Sequence, residues 1–139
     1  MSFKKIFSTS LFTFFFCSVG FSQDIQMSES QLKDYLCKTW RIDYVLINGQ
    51  EVSGIEYFQK MEFQFNFDNT YSIKGKTENA TGRIWKYNIT DKCVEIFSDT
   101  EIIERIKYVN SEKIVIVPVL DEQAKVAMKS VELYLKPKN

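Results

Sequence analysis

Two charged residues, Arg83 and Glu104, stand at positions where a β-strand would turn them toward a protein interior. Alternate residues of a strand share one face, so Arg83 lies on the same face as Trp85 and Tyr87. By the same spacing, Glu104 shares a face with Tyr108. An inward arginine can anchor a ligand carboxylate through its bidentate guanidinium while apolar walls hold the ligand's tail. The alternatives are an internal salt bridge or simple solvation at the strand ends.

Aromatic side chains form the rest of the candidate binding set. A buried tyrosine hydroxyl needs a hydrogen-bond partner, which a bound ligand or water can supply. Trp85 can stack on a ligand or fill a narrow interior, and filling is what we expect of Trp40 at the floor. The predicted ligand-binding residues are Tyr44, Phe63, Phe65, Tyr71, Arg83, Trp85, Tyr87, Glu104 and Tyr108.

The chain contains no histidine. This excludes Ser-His-Asp and Cys-His catalysis, the usual proton shuttle near neutral pH and histidine-containing zinc sites. An enzyme would need a carboxylate pair or an activated thiol in the interior, and Glu104 is the one carboxylate that the pattern places there. We therefore predict no enzymatic activity, no catalytic residue, no metal site and no cofactor.

After residue 22 the sequence alternates apolar and polar residues in short stretches, which is the period of half-buried β-strands. Compact turns such as Asn48-Gly49 separate the stretches. A short helix is predicted over 28–37, with Ser28 or Ser30 as N-cap. The predicted strands are 38–47, 61–67, 70–74, 83–89, one that begins at 93, 101–109, 113–119 and 127–135.

About eight strands in 139 residues predict one all-β domain. We predict an eight-stranded antiparallel up-and-down barrel. Three tight turns fall at one end and most longer connections at the other, as in a cup with a mouth. The N-terminal helix belongs at the closed end, where it plugs the floor. The segments 50–59 and 120–125 are predicted as irregular connections.

Residues 1–22 have the pattern of a secretory signal peptide. Lys4 and Lys5 form a positive start, and an uncharged apolar run of 16 residues follows. Gly20 and Ser22 supply the small residues that precede a cleavage site. The apolar run is shorter than the ~20 residues that span a bilayer comfortably. An uncleaved anchor is the alternative reading.

Cleavage is expected before Gln23, which leaves residues 23–139 as the exported domain. Lipid attachment at Cys17 needs a small residue before it, and Phe16 stands there, so we predict no lipid anchor. The mature protein is expected to be soluble, in the periplasm or outside the cell, without stable membrane insertion. For Cys37 and Cys93 we predict no disulfide, because the two strands concerned stand across the barrel and a bridge needs Cα atoms roughly 4.4–6.8 Å apart.

The charge balance favours small molecules or proteins as partners over nucleic acids. Once residues 1–22 are removed, 16 basic and 18 acidic residues remain, and no Lys/Arg cluster is present. Nucleic-acid binding requires a basic surface, so no nucleic-acid partner is predicted.

Three short motifs resemble secreted bacterial lipocalin-like domains, which belong to the calycin-type barrels. Lys38-Thr39-Trp40 is similar to the Gly-x-Trp opening of lipocalins, with lysine in place of the glycine. The other two are Phe65-x-Phe67-Asp68-Asn69-x-Tyr71 and Gly82-Arg83-Ile84-Trp85. The resemblance covers most of residues 32–136. It implies an eight-stranded meander barrel with a tryptophan across its floor and small-molecule carriage as the default role.

Two functions fit this barrel. The first is binding of a small hydrophobic or amphipathic ligand in the interior. The second is a protein-interaction or inhibitor module that uses the 50–59 loop, where Ile55, Tyr57 and Phe58 form an apolar patch beside a filled barrel. An open interior favours the first function, and a filled interior with an exposed patch favours the second. The sequence identifies no protein partner.

Overall fold

The computed structural model describes residues 24–53, 55–75 and 80–139. The predicted signal peptide and its cleavage site lie outside the described residues. The elements in chain order are α1 (Glu29–Leu36), β1 (Thr39–Ile47), β2 (Gln50–Val52), α2 (Glu56–Gln59), β3 (Glu62–Phe65), β4 (Thr70–Lys74), β5 (Ala80–Asn88), β6 (Cys93–Ser98), β7 (Glu101–Val109), β8 (Ile114–Pro118), α3 (Glu122–Ala127) and β9 (Val131–Pro137).

The strands form a closed antiparallel barrel, as predicted. From β3 to β9 each strand pairs with the next, and β1 pairs with β9 to close the sheet. One edge of β1 is shared by two strands, because its residues 39–41 pair with β3 and its residues 45–47 pair with β2. The nine strands therefore occupy eight positions around the barrel. The strands β4 and β7 have the bounds that the sequence predicted.

The closed end is built by α1 and the residues on either side of it. Ser28 caps the helix by accepting a 3.1 Å hydrogen bond from the Gln31 amide, and Leu32 and Leu36 are fully buried. The Trp40 indole N–H donates to the Leu36 carbonyl oxygen over 2.9 Å. This bond satisfies one of the carbonyls that a helix end leaves without an intrahelical partner. The tryptophan thus lies directly against the end of the helix.

Three tight turns contact this N-terminal region. These contacts confirm the predicted position of α1 at the closed end of the barrel. The Lys33 ammonium donates to the Phe67 carbonyl in the β3–β4 turn. The Lys38 ammonium donates to a carbonyl in the β7–β8 turn. The Ile25 amide donates to the Lys92 carbonyl in the β5–β6 turn over 2.9 Å.

At the opposite end, Asn48 and Gly49 form the β1–β2 hairpin turn. Both have positive φ, 53° and 77°, as the two-residue turn that matches strand twist requires. The Asn48 side-chain oxygen also accepts the Lys129 amide over 2.7 Å. The turn therefore fixes the start of β9 as well as joining β1 to β2.

Two segments that the sequence predicted as irregular contain short helices. The helix α2 follows β2, and α3 lies where a polar connection was expected. Asp121 caps α3 by accepting the Ala124 amide over 2.7 Å. An Asp with helix-forming residues after it is an N-terminal signal, but the stretch is too short for a detectable hydrophobic period.

Irregularities in strand register change which residues face inward. The β1–β9 pairing shifts between Ile42 and Tyr44, and the β7–β8 pairing shifts between Ile106 and Tyr108. An extra residue at such a bulge reverses the alternation of faces beyond it. Strict alternation along the predicted strand 38–47 would place Tyr44 on the same face as Trp40, and the bulge makes this wrong.

Candidate functional site

The half of the barrel nearest to α1, here called the lower half, is packed with large side chains, and the half toward the mouth is called the upper half. Trp40, Phe63, Phe65 and Trp85 are each at most 1% exposed, and they belong to one continuous core that reaches the helix α1. An eight-stranded barrel is just wide enough for its side chains to fill it. Three of the predicted ligand-binding aromatics, Phe63, Phe65 and Trp85, are therefore core residues.

Trp85 is fixed by the β3–β4 turn. Its indole N–H donates to the Asn66 carbonyl over 3.1 Å, and its backbone N–H donates to the Asn69 carbonyl over 2.9 Å. The Asn69 side-chain amide donates in return to the Trp85 carbonyl over 3.0 Å. These hydrogen bonds join Trp85 to the β3–β4 turn. Core packing and the turn therefore account for the position of Trp85 without a ligand.

Tyr87 faces the N-terminal segment that crosses the closed end. Its hydroxyl lies 2.9 Å from the Met27 carbonyl oxygen and 3.2 Å from that of Ile25, either of which it can donate to. The hydroxyl therefore has protein partners. These partners could not be predicted from the sequence, because the segment before α1 has no periodic pattern.

Tyr44 and Tyr108 lie on the outside of the barrel, which corrects their predicted inward orientation. Tyr44 pairs with Tyr134, and their rings stack with centroids 4.5 Å apart. Tyr108 pairs with Val115, a neighbour of the inward Ile114 in β8. The two bulges reverse the alternation before each tyrosine, so neither can contact a ligand inside.

Of the predicted set, Tyr71, Arg83 and Glu104 come together in the interior. Tyr71 in β4 pairs with Arg83 in β5, and Glu104 in β7 lies opposite the buried Ile96 of β6. Pairing with a core residue places each of these side chains on the inner face of its strand. We call these three residues the polar cluster.

The polar cluster contains two buried polar atoms without partners. Tyr71 is 1% exposed and Glu104 is 9% exposed. Within the described part of the chain, neither the Tyr71 hydroxyl nor Glu104 Oε1 has a partner at the distance and angle of a well-formed hydrogen bond. Leaving such groups unpaired costs about 1–3 kcal/mol each, so each atom is a place where a ligand or water can bind.

Burial dominates the electrostatics of the cluster. It raises the pKa of the Glu104 carboxyl from 4.5 to about 7, although the Arg83 charge lowers it and so does the Tyr71 hydroxyl, which lies close enough for a weak hydrogen bond to the carboxyl but not at good geometry for one. Burial also raises the pKa of the Tyr71 phenol, and the negative charge of Glu104 adds to this effect while Arg83 opposes it. At neutral pH the carboxyl therefore exchanges readily between its charged and neutral forms.

The interior around the polar cluster is less tightly enclosed than the floor. Ile73, Ile103 and Leu133 pack against the core but remain partly exposed, and Arg83 is also half-buried. Ile103, and not Ile102, packs against the core, because the β6–β7 register shifts between Ile96 and Phe97. The upper half thus combines the buried polar cluster with partly exposed apolar walls.

The wall of the barrel has a gap between β2 and β3, where α2 covers β1. A pocket of about 120 Å³ lies there, lined in part by Val45, Val52 and Phe58. Ile55 and Tyr57 beside it are 36% and 41% exposed. Two other pockets lie against the segment before α1 and on α1 itself. None of these three pockets is lined by Arg83 or Glu104.

Cys37 and Cys93 are free thiols. Burial raises the pKa of both, and it is the largest influence on each. A raised pKa lowers the thiolate fraction and with it the nucleophilicity.

Across the described ranges, no helix is long and apolar enough to cross a membrane, and no three acidic or cysteine side chains are grouped as metal ligands would be. No family model matches this chain, and no curated protein or solved structure is significantly similar to it.

Proposed function

We propose that this chain is an exported, non-enzymatic binding protein of lipocalin-like type that holds a small hydrophobic or amphipathic ligand in the upper half of its barrel. The observation that carries the proposal is the pair of unpartnered buried atoms, the Tyr71 hydroxyl and Glu104 Oε1. A ligand with one polar end supplies the missing hydrogen bonds. Pockets that bind small molecules combine apolar walls with a few convergent polar groups in this way.

The ligand is short, because aromatic side chains already fill the floor. Its polar end lies innermost, at the polar cluster, and its apolar part runs along Ile73, Ile103 and Leu133 toward the mouth. Burial of an eight-carbon chain at ~0.8 kcal/mol per methylene contributes about 6 kcal/mol before the costs of association. Those costs take up most of this free energy, so a measurable affinity also requires the hydrogen bonds at the polar cluster.

Binding is favoured over catalysis by the residues around the site. The chain has no histidine, and the neighbours that influence Glu104 are an arginine and a tyrosine. A carboxyl with a raised pKa can act as a general acid or base, but the cluster pairs it with no serine, threonine or thiol nucleophile.

Titration of the purified protein with eight-carbon amphiphiles tests the binding function. Amide chemical shifts in nitrogen-15 spectra should change saturably, with the largest changes in β4, β5 and β7. The matched control is the Glu112→Gln variant, because Glu112 is exposed in a turn at the closed end. If no amphiphile produces a saturable change, the ligand-binding proposal is wrong.

Export follows from the pattern of residues 1–22. The intact mass of the protein recovered from the periplasm or medium should correspond to residues 23–139. A mass that retains the apolar run, or that carries lipid on Cys17, would contradict the proposed localisation.

A second candidate function has its own supporting observation. Ile55 and Tyr57 are large apolar side chains exposed beside the gap in the barrel wall, and such a patch suits contact with a protein partner. A partner captured by cross-linking should be lost in the Tyr57→Ser variant and retained in Glu104→Gln. The reverse pattern would assign the contact to the barrel interior instead.

A further inference from the structure

The hydrogen-bonding capacity of the polar cluster restricts the chemistry of the ligand's buried end. An ionised Glu104 Oε1 can only accept a hydrogen bond, whereas the Tyr71 hydroxyl can donate one as well as accept one. Both atoms are buried and unpartnered. A single group that donates to one and accepts from the other satisfies both.

We propose that the buried end of the ligand is a neutral hydroxyl group, which donates to Glu104 Oε1 and accepts from the Tyr71 hydroxyl. This inference rests on the proposed binding function and names the ligand class: alcohols with a short apolar tail. It replaces the carboxylate that the sequence suggested as the partner of Arg83.

The charges in the interior argue against a carboxylate. Arg83 is near enough to lower the pKa of Glu104, so the ionised glutamate already balances the guanidinium. A ligand carboxylate would add a second negative charge beside Glu104 in a poorly solvated site, where like charges repel strongly. A ligand ammonium would add a positive charge beside Arg83 for the same cost. A hydroxyl leaves the balance unchanged.

Protonation of Glu104 weakens the preference for a hydroxyl over a carboxylate. The groups that face it are Arg83 from β5 and Tyr71 from β4, while its pairing partners Ile96 in β6 and Pro118 in β8 carry no titratable group. Once Glu104 is neutral, Arg83 is the one charge left in the cluster, and the site can accept a carboxylate. Discrimination against acids should therefore weaken as the pH falls through about 7.

The test compares 1-octanol, octanoate and octylammonium by chemical-shift titration of the purified protein. At about pH 8, octanol should bind about tenfold more tightly than either ion. On lowering the pH to about 5.5, octanoate should gain about tenfold in affinity while octanol changes little. The Glu112→Gln control should reproduce both results.

Two variants separate the roles of the cluster. Glu104→Gln removes the charge at constant shape, so octanoate should bind equally at both pH values. Tyr71→Phe should weaken octanol by about threefold to tenfold, because one hydrogen bond is lost. Unchanged far-ultraviolet circular dichroism and a cooperative urea transition show that each variant is folded.

The outcomes distinguish the inference from the binding function on which it rests. If octanoate or octylammonium matches octanol at about pH 8, or if Glu104→Gln keeps the pH dependence of octanoate, the hydroxyl inference is wrong and the binding function stands. If none of the three probes binds saturably to the folded protein, the binding function itself falls.

Discussion

Arg83 and Glu104 influence each other inside the barrel although β6 separates their strands. The guanidinium lowers the pKa of the Glu104 carboxyl, but burial raises it further, so the net value is about 7. A carboxyl whose pKa is higher in the folded state binds protons more tightly there than in the unfolded chain. Folding stability must therefore fall as the pH rises between the unfolded and folded pKa values.

The first prediction concerns this pH dependence. Between about pH 4.5 and pH 7 the wild-type protein should lose free energy of unfolding, by up to roughly 3 kcal/mol from Glu104 alone. The loss should level off above that window, where both states are ionised. In Glu104→Gln this component should be missing, so the variant should gain stability relative to wild type as the pH rises. Urea unfolding across the window measures the difference.

Glu112→Gln serves as the control, since its curve should run parallel to that of the wild type. If the difference in free energy of unfolding between Glu104→Gln and wild type stays constant across the window, then the pKa of Glu104 is the same in the folded and unfolded states. The assigned burial effect would then be wrong.

The second prediction concerns the stacked pair on the outer surface. Tyr44 and Tyr134 lie with ring centroids 4.5 Å apart and planes inclined by 11°. A double-mutant cycle with Tyr44→Ala and Tyr134→Ala should give a coupling of about 0.5–1.5 kcal/mol in the free energy of unfolding. Octanol affinity should be unchanged in both single variants. A loss of octanol binding in Tyr44→Ala would show that Tyr44 faces the interior, as predicted from the sequence.

Tyr44 and Tyr108 show where prediction from the alternation of apolar and polar residues fails. Strand bounds and the closed barrel follow from alternation, which is why 70–74 and 101–109 agree with the structure. A bulge inserts one residue and reverses the faces beyond it. Neither the bulge before Tyr44 nor the one before Tyr108 has a glycine or another local mark, because pairing with the next strand determines it.

The interior charges were predictable for the opposite reason. No register shift separates Arg83 from Trp85 in β5, and none separates Glu104 from Ile106 in β7. The alternation within each of these two pairs therefore holds in the structure. Their polar partner Tyr71 follows from the same period. The gap between β2 and β3 was not predictable, since it arises when two short strands share one edge of β1.

The third prediction concerns the anchor of the N-terminal segment. Tyr87→Phe removes the hydroxyl that contacts the Met27 and Ile25 carbonyls, and the free energy of unfolding should fall by about 1–3 kcal/mol. Hydrogen exchange at the Ile25 amide should accelerate, because its bond to the Lys92 carbonyl depends on the same segment. Tyr57→Phe, at an exposed position, is the control. Equal exchange rates at the Ile25 amide in the wild type, Tyr87→Phe and Tyr57→Phe would show that the Tyr87 hydroxyl does not anchor the N-terminal segment.

The last prediction separates packing from ligand contact at Trp85. This residue is fully buried, and its indole N–H is already bonded to the Asn66 carbonyl. Trp85→Phe should lower the free energy of unfolding by about 2–3 kcal/mol, because a buried hydrogen bond and part of the core are lost. Octanol affinity should change by less than about twofold, since the ligand lies above the packed aromatics.

Trp40→Phe provides the matched comparison, because that indole is equally buried and bonds to the Leu36 carbonyl at the floor. Both variants should unfold at lower urea concentration and bind octanol as the wild type does. If Trp85→Phe alone loses octanol binding by about tenfold while it remains folded, then the indole contacts the ligand. The binding site would then extend down into the core, and the ligand would be longer than the upper half of the barrel allows.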